Sequence, residues 1–152
     1  MRKLSLVGGV VLALAAATST LAATPTAQTT AATSTAATLT WKATFSKTPV
    51  SGTAVLTATA SHTQDKVVVR ATGLTKGTKV TFRIFETVAG KNRAIASASG
   101  VVTLTSKGQL VRTWVLPSAE RAAVKAALAH GDAISFRLID GTTVASGLFA
   151  KA

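Results

Sequence analysis

From Leu39 onward, apolar residues recur at every second position. Leu39, Trp41, Ala43 and Phe45 alternate with Thr40, Lys42 and Thr44, as a strand with one buried and one wet face requires. The runs TAVLTATA (Thr53 to Ala60) and KVVVRAT (Lys66 to Thr72) continue the pattern, with His62-Thr63-Gln64-Asp65 as the polar turn between them. Gly73 to Thr78, GLTKGT, marks the next turn. Beyond it, Val80, Phe82 and Ile84 share one strand face, while Thr81, Arg83 and Phe85 share the other. Turns at Ala89 to Asn92 and Ser106 to Gly108 bracket a strand region from Ala94 to Thr105 and lead into Gln109 to Val115. Ala133 to Ile139 and Thr143 to Phe149, joined at Asp140-Gly141, close the chain.

One segment breaks the period. AERAAVKAALAH follows Pro117-Ser118 and precedes Gly131. Its alanines favour a helix over about 118–130. Ser118 is the expected N-cap, Glu120 suits the positive end of the dipole, and Gly131 suits a left-handed C-cap. Val124 and Leu128 supply a small apolar stripe. About eight short strands and one short alanine-rich helix predict an all-β fold: a single immunoglobulin-like, Greek-key antiparallel sandwich over 39–152. Trp41, Phe82, Ile84, Trp114, Leu116, Ile134, Phe136 and Leu138 are its expected core.

The first 38 residues read differently. Met1-Arg2-Lys3 precedes a mostly apolar run from Leu4 to Ala17 and then small residues up to Ala23. That order predicts a signal peptide over 1–23, cut after Ala22 or Ala23, and a secreted or periplasmic protein without a transmembrane span once cleaved. Residues 24–38 are nearly all Thr, Ala and Ser, too apolar-poor to pack, and predict a flexible linker. Loss of Arg2 and Lys3 takes the 17 basic residues to 15 against 5 acids, leaving a charge of about +10. Such a balance suits anionic partners or solubility alone. The chain has no cysteine, which excludes disulfides and thiolate chemistry.

From Ser51 to the end, the order of features resembles the CHRD (chordin-type) domain and its relatives of copper–zinc superoxide dismutase topology. SGTAVLTAT, VVVRATGLTKGT, GQLVRTWVL and AERAAVKAALAHGDAISFRL carry the likeness. GLTKGTKVTFRIFE is also similar to a bacterial immunoglobulin-like domain. The first resemblance implies an H-x-H on the strand after the GL turn and another histidine on a late strand. This chain has Arg83-Ile84-Phe85 and Phe136-Arg137 there, so the implied metal site is absent and no metal or other cofactor is expected.

His62 and His130 are the chain's two histidines, one in a turn and one at a helix end, and both read as surface residues. Asp65, Glu120, Asp132 and Asp140 read as turn or helix-end residues, and Glu86 as a cross-strand or local ion pair with Arg83 nearby. No catalytic residue is assigned and no enzyme is expected. The remaining candidate is anion binding by Arg70, Arg83, Arg112, Arg137 and Lys79. Arg83 and Arg137 alternate with core residues and should point outward, while Arg112 shares the parity of Trp114. On neighbouring strands they would form a ladder suited to DNA, lipopolysaccharide or teichoic acid. The function expected is that of a non-catalytic exported binding or structural protein of the cell envelope or extracellular space, pairing with itself or a protein partner through a sheet edge; polyanion binding through these arginines is the alternative.

Overall fold

The computed structural model describes residues 37–152. The expected signal peptide and all but the last two residues of the expected linker lie outside the described residues. Nine strands and one helix follow in chain order: β1 (Thr38–Lys47), β2 (Val50–Thr59), β3 (Lys66–Thr72), β4 (Lys79–Val88), β5 (Lys91–Val101), β6 (Leu110–Val115), α1 (Ser118–His130), β7 (Ala133–Asp140), β8 (Thr143–Leu148) and β9 (Ala150–Lys151). They form two antiparallel sheets, ordered β6-β3-β2-β1-β9 and β5-β4-β7-β8. The β4–β5 hairpin crosses to the second sheet and β6 returns beside β3, which is a Greek-key connection. The fold is the expected all-β sandwich.

The core lies between the inward faces of the two sheets. Phe136 stands at its centre, with ring centroids 5.1 Å from Phe45, 6.2 Å from Phe82 and 6.3 Å from Phe149. Leu56, Val67, Val69, Ile84, Leu110 and Leu138 fill the remainder. Each such side chain contributes about 1.5–3 kcal/mol when fully buried. Seven of the eight expected core residues are buried; Trp41 is only half-buried, packed against the core's margin where β9 pairs with β1. There the chain changes sheets: Phe149 N–H donates to the Ile134 carbonyl, and two residues later Lys151 is the partner of Trp41. The two-residue β9 is the strand that period-two reading missed, because two residues carry no period.

The helix occupies the predicted residues, but its start differs from expectation. Pro117 is the N-cap and no side chain caps the first turn; Ser118 is already helical. Gly131, at φ 77°, ends the helix as expected, and Asp132 N–H reaches back to the Ala127 carbonyl. Val124 and Ala127 form the buried stripe, with Leu128 half-buried beside them. Glu120 reaches across to accept the backbone N–H of Ser97 on β5 at 3.0 Å. The helix thereby covers part of that edge strand and satisfies a donor the ladder leaves open.

Candidate functional site

The five basic candidates separate. Period two tells which side of its own sheet a residue faces, but not which sheet it belongs to. Arg70 lies on β3, in the five-stranded sheet, opposite Thr53 and Val111. Arg112 follows the inward parity of Leu110 and Trp114, and its guanidinium rests on Gly100 of β5, where an added Cβ would lie 2.7 Å from Nη2. It bridges the adjoining edges of the two sheets instead of standing on either outer face. The four-arginine ladder therefore does not form.

Lys79, Arg83 and Arg137 do share the outer face of the four-stranded sheet. Arg83 and Arg137 are direct cross-strand partners on β4 and β7. Ser97 on β5 stands opposite Arg83, and Ser146 on β8 opposite Arg137, so one row reads Ser97–Arg83–Arg137–Ser146. Opposed like charges in a sheet are unfavourable, by about 0.2–1 kcal/mol. Part of that is offset because the Arg137 guanidinium lies over the Phe85 ring, Cζ 4.2 Å from its centroid, on the diagonal away from Arg83. Beside Arg137 opens a shallow hollow of about 340 Å³, lined also by Thr87, Asn92, Ser135, Ser146 and Leu148. Its wall offers hydroxyl, amide and guanidinium groups but no carboxylate.

Of the chain's five acids, Glu120 meets this row at its β5 end through Ser97 N–H, and none is ion-paired with Lys79, Arg83 or Arg137 among the described residues. Glu86 has the inward parity of Phe82 and Ile84, is buried, and pairs with Arg93 on β5, whose Nε donates at 2.6 Å. The pair is cross-strand, as anticipated, but its partner is Arg93 and not Arg83, which points to the opposite side of β4. Asp140, at the end of β7, accepts from the Thr78 hydroxyl at 3.3 Å. Glu120 faces Ser97 N–H, and Asp132 lies 3.7 Å from His130 past the end of α1.

Asp65 is the departure that sequence reasoning missed. It is fully buried, and His62 Nδ1 lies 2.6 Å from its Oδ2. The His62 side chain is 12% exposed, so it is not the surface residue that its polar turn suggests. The backbone at His62 is left-handed, with φ 55°. A histidine and an aspartate three positions apart in a turn were the available signal; their burial was not, because it depends on Leu116 bonding back to the Asp65 carbonyl. Among the described residues, no group of three or more His, Asp or Glu side chains could hold a metal ion. Comparison with known proteins finds no matching family model, no matching curated protein and no matching solved structure.

Proposed function

We propose that this chain is a non-catalytic, exported binding protein that holds anionic polymers on the outer face of its four-stranded sheet. One observation carries the reading: Arg83 and Arg137 stand directly opposed, with Lys79 on the same face and no acid ion-paired with them among the described residues. Folding gains nothing from opposing two like charges, whereas a phosphate or carboxylate strand supplies the missing counter-charge to both forks. Phe85 already stacks with Arg137, so this face offers no free ring for base stacking, and recognition is of backbone charge over sequence. The likeness to CHRD-type sandwiches supports a binding scaffold from which metal chemistry has been lost. A second reading, pairing with a protein partner through a sheet edge, rests on β6, which ends its sheet and exposes Val111 and Val115.

Binding of residues 24–152 to DNA, lipopolysaccharide and teichoic acid across a salt series separates the two. The expected result is a logarithm of affinity that falls linearly with the logarithm of salt for at least one polymer. The Arg83→Ala/Arg137→Ala double variant should lower that slope by about 2, and Arg70→Ala, on the other sheet, should change it much less. Weak binding to all three polymers, insensitive to salt, overturns the anion reading and leaves the edge partner.

A further inference from the structure

The turn between β2 and β3 meets the start of α1 in a second hollow, of about 200 Å³, lined by Ser61, His62, Ser118, Arg121, Ala122 and Lys125. Ser118, Arg121, Ala122 and Lys125 are spaced i, i+3, i+4 and i+7, so one helix face forms the wall. The first turn of that helix has no side-chain cap, and Arg121 N–H donates to the Pro117 carbonyl. The N–H groups of Ser118, Ala119 and Glu120 at the helix start have no intrahelical acceptor.

His62 closes the opposite wall. Its Nδ1 lies 2.6 Å from Asp65 Oδ2, and that bond sets the orientation of the ring. His62 lines the hollow, and Nε2 is the ring nitrogen that Asp65 does not engage. Asp65 itself is fully buried and its Oδ1 has no partner among the described residues. An otherwise costly buried carboxylate thus fixes one imidazole in a hollow lined also by Lys125 and by Arg121, whose Nη1 donates to the Leu116 carbonyl at 2.9 Å and whose other nitrogens are not so engaged. Glu120 is turned away to Ser97, so no carboxylate lines this hollow.

We infer that this hollow binds a phosphate group, held by Arg121, Lys125, the Ser118 hydroxyl and His62 Nε2. The imidazole suits phosphate because the ligand offers both bare oxygens and a P–OH, so Nε2 finds a partner in either protonation state. The site is separate from the arginine row of the four-stranded sheet and does not depend on it.

The test is a titration of inorganic phosphate into residues 24–152 at constant ionic strength, followed by NMR of the backbone amides and the His62 ring. Saturable shifts at His62, Ser118 and Arg121, with a Kd on the order of 1 mM, are expected. Lys125→Glu and Ser118→Ala alter exposed side chains and leave the His62–Asp65 pair intact. Lys125→Glu should weaken binding about tenfold or more, while Arg83→Ala/Arg137→Ala should leave it unchanged. Shifts that do not saturate, or that persist undiminished in Lys125→Glu, overturn the assignment. Binding that is lost only in the Arg83/Arg137 variant overturns it too, and assigns the phosphate to the arginine row.

Discussion

Gly147→Ala is expected to destabilise the domain by about 3 kcal/mol, a large share of the 5–15 kcal/mol that holds a typical domain together. A Cβ at this position of β8 would lie 2.0 Å from the Thr44 carbonyl oxygen and 2.7 Å from its carbon, both backbone atoms of β1. A flexible side chain could swing aside, but a strand cannot. The only relief is to part β8 from β1, and that opens the sandwich where the two sheets join. Gly147 also pairs with Phe136, whose ring packs on Phe45 of β1, so separation loosens the centre of the core as well. Urea unfolding of Gly147→Ala beside Ser146→Ala provides the measurement. Ser146 is the exposed neighbour, and its substitution should stay within about 0.5 kcal/mol. Equal midpoints for the two variants would show that the β1–β8 approach tolerates a methyl group and does not close the sandwich.

His62→Ala is expected to cost about 3 kcal/mol, although it removes a side chain from a turn. The loss arises in what stays behind. Asp65 is fully buried with Oδ1 unpartnered, and removing the imidazole leaves Oδ2 unpartnered also. A buried carboxylate without a donor is among the few defects that cost several kcal/mol in one substitution. In the Asp65→Ala background there is no stranded charge, so the same His62→Ala change should cost under about 1 kcal/mol. The left-handed backbone at His62 penalises alanine equally in both backgrounds and cancels from the cycle. A coupling energy near zero would mean that the pair contributes nothing to folding. In that event the close His62–Asp65 contact would have no energetic role in holding the ring against α1.

How much of the site could be read in advance follows from what each pattern reports. The Lys66–Thr72 strand and the Ser118–His130 helix occupy the residues that periodicity and composition predict. For both, the deciding physics is local: alternating burial in one case, alanine propensity between Pro117 and Gly131 in the other. The outward facing of Arg83 was legible for the same reason, since Phe82 and Ile84 flank it. Glu86 shows the limit of reading by proximity. Arg83 is three residues away on the chain but on the opposite side of the strand, and the hairpin register brings up Arg93 instead.

The sequence by itself determined the fold class, the position of most strands, the helix and the excess of basic charge, because each rests on neighbours along the chain. Only the tertiary structure decided that Arg70 and Arg83 belong to different sheets, that Arg112 spans the gap between sheet edges, and that Arg83 meets Arg137. It alone buried Asp65 behind His62. These outcomes depend on contacts between segments tens of residues apart, and a period-two pattern is the same whichever sheet a strand joins.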